Sequence, residues 1–486
     1  MRKTGNITYI AICLIFCVIP FAGMLFYRTD TTTENKTLAA LPQPEKDGKL
    51  NVDFFDECSE YFEDHFAFRQ EFVTADAEIL SKVFGVSNVD TVMAGTDGWL
   101  YYTDTLDDYL GQNVMTKRQA FNTVHNLLLL QNFVTEQGAD FVFTVAPNKN
   151  SLYGENMPYY AKYKAGDVKN IDLIVPGLYD MGVSYVDLFK GFKDSKEKLY
   201  LKRDSHWNNK GAVLVYDTIL DYLEMEHETY DTVKAVREER EYGDLNKMMY
   251  PLSARPEWNY YYRYDNTWEY TSDENNVEAA WIKTYSPSGK GSLLMFRDSF
   301  GNTLLPLMAE HFGEASFSKG VPYHIAEYMK QCDPELVIAE KVERNLDEFM
   351  TMPPVMPGPE VSLENVAASG KMTASVEMKE SMDDVNYWIF SGVVGDSGID
   401  PDSLIYVQLT AGDSTKVYEA FTTTTEESDY GYQLYLPKEE LQAEGIAERD
   451  SVVVGIIAEK QDILQIIGTK EITVNMQDAV TEENAG

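Results

Sequence analysis

The sequence predicts an α/β domain followed by a β-sandwich, both carried behind an N-terminal transmembrane helix. Three observations predict it. An uncharged apolar run fills residues 7–27, helix-like and strand-like segments alternate through the middle of the chain, and short alternating runs follow a proline-rich break. At 486 residues the chain is too long for one ordinary domain.

Arg2 and Lys3 precede the apolar run, which is about as long as a bilayer helix requires. Basic residues stay on the cytoplasmic side, so an uncleaved anchor places everything after Arg28 outside the cell membrane. The competing reading is a cleaved signal peptide, but the run is long for one and no clear small-residue cleavage site follows. The expected divisions are a cytoplasmic tip at 1–6, the anchor at 7–27, a polar stem at 28–50, an α/β domain at 51–350, a proline-rich linker at 351–362, the sandwich at 363–478 and a polar tail at 479–486. The spacing of Phe54, Phe55, Cys58, Tyr61, Phe62, Phe66 and Phe68 predicts an amphipathic helix packed into the core.

Within the α/β domain, residues 117–137 read as a helix and "ADFVFTVAPNKN" as a buried strand ending at Pro147. "VSYVDLF" and "SLLMFRDSF" read as further strands, with helices in "NKGAVLVYDTILDYLEME" and "GNTLLPLMAEHF"; "DPELVIAEKVERN" closes the series. Ligands of open α/β sheets sit beyond the carboxyl ends of the strands, where Asp204 to Trp207 and Arg297 to Phe300 are expected. Short runs such as "VNYWIFSGVV" and "SVVVGIIAE" alternate in the manner of a sandwich, which is expected to bind carbohydrate.

The balance of 79 acidic against 41 basic residues gives a net charge of −38, which argues against nucleic acid. It also disfavours a polyanionic acceptor, unless Lys149, Arg203, Arg297 and Arg344 form a local basic groove. Cys58 and Cys332 are the cysteines outside the apolar run, and an oxidising compartment permits a bridge between them. His65, His125, His227, His311 and His324 show no metal-ligand spacing, so neither a metal nor another cofactor is expected.

The stretch "YLKRDSHWNNKGA" puts Asp204 two positions before His206, close enough for the carboxylate to fix the imidazole tautomer if the backbone turns there. "LLMFRDSFGN" supplies a nucleophile, Ser299, between a buried strand and a helix, where its amide, its neighbours and the helix N-terminus face a developing oxyanion. Spacing alone equally fits Ser299 as a helix cap and Asp204 as a turn residue. Other candidates divide in the same way. Asn148 and Lys149 face the cleft or form a turn; Arg344 orients substrate or pairs with Glu343; Trp258 and Tyr261, in an aromatic stretch running to Tyr270, meet sugar faces or build a half-buried hairpin.

"RDSHWNNKGA", "MFRDSFGNTLLPLM" and "PELVIAEKVERNL", with "ENKTLAALP", "FEDHFAFR" and "GTDGWLYY" upstream, resemble the DHHW family and the alginate O-acetyltransferase proteins, which are SGNH-hydrolase-like. The resemblance implies a three-layer catalytic domain with the motifs in permuted order, Ser299 as nucleophile, His206 as base and Asp204 as its orienting acid; Trp207, directly after the base, is a candidate substrate-binding residue. Ser205 stands where the family name implies a second histidine. The resemblance further implies O-acetylation of a cell-surface or secreted polysaccharide, with a polytopic membrane acyltransferase supplying acetyl. An acetyl-esterase or an inactive carbohydrate-binding scaffold are the alternatives.

Overall fold

The computed structural model describes residues 10, 14, 18–27, 38–46, 48–230, 235–262, 266–368, 374–381, 387–395, 399–443, 451–460 and 463–473. The cytoplasmic tip, nine of the 21 residues of the expected anchor and the tail at 479–486 lie outside them. Among the described residues no helix is long and apolar enough to cross a membrane.

A seven-stranded sheet organises the first domain. Its strands are β1 (Asp140–Ala146), β2 (Tyr185–Val186), β3 (Glu269–Tyr270), β4 (Trp281–Tyr285), β5 (Ser292–Phe296), β6 (Glu314–Ser318) and β7 (Leu336–Val342). They lie in the order β2-β1-β7-β5-β6-β4-β3, with the first five parallel and β4 and β3 joined antiparallel. The parallel strands are apolar on both faces because helices cover both. Phe141, Phe143, Leu294, Phe296, Val337 and Ala339 face one layer, and Val142, Ala146, Leu293, Met295, Leu336 and Ile338 face the other.

The first layer holds α1 (Lys117–Glu136) and α2 (Asn170–Met181), whose Leu127, Leu130, Ile174 and Leu178 enter that core. The second holds α3 (Asn209–Tyr222) and α4 (Gly301–His311), through Val215, Ile219, Leu304 and Met308. Parallel β1, β5 and β7 therefore end on one edge of the sheet, and the chain leaves them at Pro147, Arg297 and Glu343.

Beyond Thr351 a six-stranded and a four-stranded sheet share one apolar core, where Trp388, Phe390, Leu434 and Leu436 meet Ile405, Val407, Val454 and Ile456. This part is fastened to α1 by polar contacts. His125 Nδ1 lies 3.0 Å from Thr422 Oγ1, and Arg118 Nη1 donates to Ser403 O at 2.6 Å.

Two expectations are corrected, and the open question of a bridge between Cys58 and Cys332 is answered. The helix Phe54–His65 forms, but it lies at the periphery, with Phe55 82% exposed and only Asp64 and His65 buried. The aromatic stretch packs partly buried against the core through Tyr262, Trp268 and Tyr270, yet it is no hairpin of its own: Glu257–Tyr262 pairs antiparallel with Ala235–Glu241, while Glu269–Tyr270 joins the edge of the central sheet. Cys58 and Cys332 are both free thiols.

Candidate active site

The carboxyl ends of the parallel strands bring together residues that are distant in sequence. After β5, Asp298 ties the strand end to its neighbour, since its carboxylate accepts the Phe300 N–H at 2.8 Å and the Val342 N–H at 2.7 Å. Ser299 is thereby held at the turn into α4. Gly301 opens that helix because a Cβ there would lie 2.7 Å from the Arg297 Cβ.

Asp204 and His206 sit in the loop ahead of α3, closed by an isolated bridge between Tyr200 and Trp207. His206 Nε2 is 2.8 Å from Ser299 Oγ, and His206 Nδ1 is 2.7 Å from Asp204 Oδ1. Asp204 Oδ1 also accepts the His206 N–H at 2.9 Å, so the carboxylate fixes both the ring and the backbone of the base. With Nδ1 protonated toward Asp204, Nε2 is left to accept the serine proton.

Burial pushes the His206 pKa down, and the charge and hydrogen bond of Asp204 push it up by more, so it lies above the ordinary 6.5. Burial alone would raise the Asp204 pKa; the facing imidazole outweighs it and holds the carboxyl well below the usual range.

A cleft of about 340 Å³ opens over the serine, lined by His206, Ser299, Asn302, Lys247, Glu278 and Arg344 among others. Among the described residues no acceptor takes the Ser299 N–H, which leaves it free for an oxyanion. The Phe300 N–H, a neighbour expected to share that role, is instead consumed by Asp298. Asn302 turns its carbonyl oxygen toward Arg297 Nη1 at 2.5 Å, which directs its NH₂ group away from that guanidinium and toward Glu278.

Arg344 lines the cleft. It pairs with no carboxylate among the described residues; its guanidinium lies 5.2 Å from the Tyr102 ring centre. The other binding candidates do not reach it. Trp207 is 1% exposed, stacks on Phe192 and donates from Nε1 to Thr303 Oγ1 at 2.7 Å, so it packs the core beneath the base. Asn148 is buried, its N–H bonded to Glu343 Oε2 at 2.7 Å.

Lys149 is also buried. It donates to the carbonyls of Leu201 (3.3 Å), Lys202 (3.1 Å) and Asp204 (2.5 Å), which makes it a clamp on the catalytic loop, and burial pushes its pKa down to about 8. Trp258 and Tyr261 do not line the cleft; they meet Arg237 and Arg240 on their own two-stranded sheet.

The basic groove likewise does not assemble. Arg297 is buried and donates to Asn302 and to Val277 O, and Arg203 lines a separate cavity of about 230 Å³ with Trp99 and Arg255. Charges of both signs, Lys247 and Arg344 with Glu278 and Asp244, line the cleft itself.

Sequence reasoning missed Asp244. Its N–H donates to Asp204 Oδ2 at 3.0 Å, and its Oδ2 lies 3.7 Å from His206 Nδ1. Asp204, His206 and Asp244 present potential metal-ligand atoms within 4.8 Å of one another, but His206 Nδ1 carries its proton toward Asp204 and Nε2 faces Ser299. The only local signal was Gly243 ahead of the acid in "EYGDLNK".

Residues 92–284 match the family model described as SGNH hydrolase-like domain, acetyltransferase AlgX. No curated protein matches. Among solved structures, Bacillus cereus PatB1 is 17% identical, with 53% of this chain and 97% of that one covered and a TM-score of 0.44. A DHHW family protein from Eubacterium siraeum is 17% identical over 46% of this chain and 85% of its own, with a TM-score of 0.37. The O-acetyltransferase domain of Pseudomonas putida AlgJ is 15% identical over 53% and 92%, with a TM-score of 0.35. The family match spans Asp204 and His206 but stops before Ser299, which the fold itself delivers to them. Over residues 92–284 the chain is thus similar to the SGNH hydrolase-like acetyltransferase domain of AlgX, in line with the resemblance its motifs carry.

Proposed function

We propose that the protein is a serine O-acetyltransferase that moves an acetyl group onto a hydroxyl of a cell-surface or secreted polysaccharide. The observation that carries this reading is the continuous hydrogen-bonded line from Asp204 through His206 to Ser299. The match of residues 92–284 to an acetyltransferase domain supports it.

In the first half-reaction His206 Nε2 takes the Ser299 proton while Oγ attacks the acetyl carbonyl of the donor. The resulting oxyanion meets the Ser299 N–H. The bond to the donor's leaving group then breaks, His206 returns its proton to that group, and acetyl-Ser299 remains. In the second half a sugar hydroxyl gives its proton to His206 and attacks the acetyl carbon. Ser299 Oγ departs and regains a proton from His206, so the enzyme is restored and only the acetyl group has moved.

The N-terminal apolar run supports a place at the outer face of the cell membrane, where a polytopic acyltransferase would supply acetyl. The two sheets sharing a core beyond Thr351 support a β-sandwich that holds the acceptor chain. The mixed charge of the cleft suits an acceptor of low net charge.

The test is incubation of the full-length protein with a chromogenic acetyl ester, with and without a neutral oligosaccharide. Acetyl recovered on the sugar supports transfer. Release as free acetate alone, with sugar present in excess, would mean an esterase.

A further inference from the structure

Two carboxylates bracket the imidazole of His206. Asp204 Oδ1 is 2.7 Å from Nδ1 and Asp244 Oδ2 is 3.7 Å from the same nitrogen. Holding like charges this close is unfavourable unless hydrogen bonds and a cation offset the repulsion. Here the hydrogen bonds are built in, and the imidazolium formed during turnover supplies the cation. The Asp244 carboxylate receives the Ser205 N–H at 2.8 Å and the Ser205 hydroxyl at 2.5 Å, while its main-chain N–H reaches across to Asp204 Oδ2 at 3.0 Å.

The backbone is shaped to allow this crossing. A Cβ on Gly243 would fall 2.2 Å from Arg203 O, so glycine alone lets this segment lie against the catalytic loop, and the Asn246 N–H then bonds that same carbonyl at 3.0 Å.

We propose that Asp244 is a positioning residue of the acyl-transfer site, which through Ser205 fixes the Asp204 loop and sets a second negative charge beside the imidazolium that forms during turnover. The inference rests on the acyl-transfer reading of Ser299, His206 and Asp204. The charge it adds acts when Nε2 has taken the serine proton, which is when stabilisation lowers the barrier.

Asp244 is faced by Asp204 and His206 from the catalytic loop, by Lys149 beneath that loop and by Tyr102 from the short antiparallel pair Val92–Ala94 and Leu100–Tyr102. Lys247, Glu278 and Arg344 complete the charged surroundings of the cleft, and Arg344 acts on His206 in the opposite sense to the two carboxylates.

The experiment follows the titration of the His206 ring by NMR in the full-length protein in detergent, with histidine labelled at Cε1 and the signal assigned by its loss in His206→Gln. The same variants are assayed for kcat/KM against pH with a chromogenic acetyl ester. Asp244→Asn is expected to lower the His206 pKa by about one unit and to move the acidic limb of kcat/KM down with it. Ser205→Ala should lower kcat by roughly 10-fold, Ser205→Thr should recover most of that loss, and Ser205→Ala with Asp244→Asn should fall short of additivity.

An unchanged His206 titration in a folded Asp244→Asn protein overturns the inference, whatever happens to activity. Asp244→Ser, read in the same way, serves if the Asn variant does not fold. Because the ring titrates whether or not the ester is turned over, an inactive wild type would count against the acyl-transfer reading while leaving this measurement decisive for the role of Asp244.

Discussion

His206 Nε2 lies 2.8 Å from Ser299 Oγ across 93 residues of chain. One partner precedes α3 and the other precedes α4, and those two helices pack side by side on one face of the sheet, so the contact is set by the fold rather than by local sequence. Removing either group should disable the chemistry while leaving the fold. Ser299→Ala and His206→Ala are expected to abolish turnover of a chromogenic acetyl ester, and Asp204→Asn to lower kcat by about 10⁴ by favouring the wrong tautomer. Circular dichroism of the variants checks that folding persists.

The pH dependence follows from the direction of the His206 shift. The base must be neutral to accept the serine proton, and its pKa is raised above 6.5, so kcat/KM should climb with pH through a midpoint above that value. Stability runs the other way. The imidazolium–Asp204 contribution is fully present below the unfolded pKa and is lost as pH rises through the folded one. Thermal unfolding and activity measured over the same pH series should therefore move in opposite directions across that window.

Lys149 is a clamp on the loop, so its loss should disturb catalysis more than substrate binding. Lys149→Met leaves three buried or half-buried carbonyls, of Leu201, Lys202 and Asp204, without their donor. The expected result is a destabilisation of about 1–3 kcal/mol with kcat reduced and KM nearly unchanged. A selective rise in KM would restore the substrate-binding role.

Trp207 offers a parallel contrast. Trp207→Phe removes the Nε1 bond to Thr303 and part of the stack with Phe192 and Phe300. It should cost about 1–2 kcal/mol in chemical denaturation, with no change in the KM for acceptor.

The sequence disclosed the parts of the site that are dense in chemistry. "RDSHW" and "FRDSFGN" each set reactive side chains at the end of an apolar run, and strand ends are where open α/β sheets place their ligands. It did not disclose which polar residues turn inward. Asn148 and Lys149 follow a strand just as a cleft residue would, yet both are buried, Asn148 against Glu343 and Lys149 beneath the catalytic loop.

Asp244 lies alone in a stretch without periodicity, and its role depends on a crossing that only the tertiary fold creates. The aromatic stretch misled for a related reason. Its partner strand, Ala235–Glu241, reads AVREERE, with too few apolar residues to announce a strand. The helix at Phe54–His65 had the expected period, but periodicity reports a face and not what covers it.

In the proposed reaction Ser299 carries the acetyl group between donor and acceptor. The most direct test of that role is mass spectrometry of the full-length protein quenched during turnover of an acetyl ester, followed by peptide mapping, before and after a neutral oligosaccharide is added. One acetyl group is expected on the peptide containing Ser299, absent from Ser299→Ala, with its appearance on the sugar as the protein signal declines. Acetylated sugar formed at the wild-type rate by Ser299→Ala, with no acetyl on that peptide, would contradict that role.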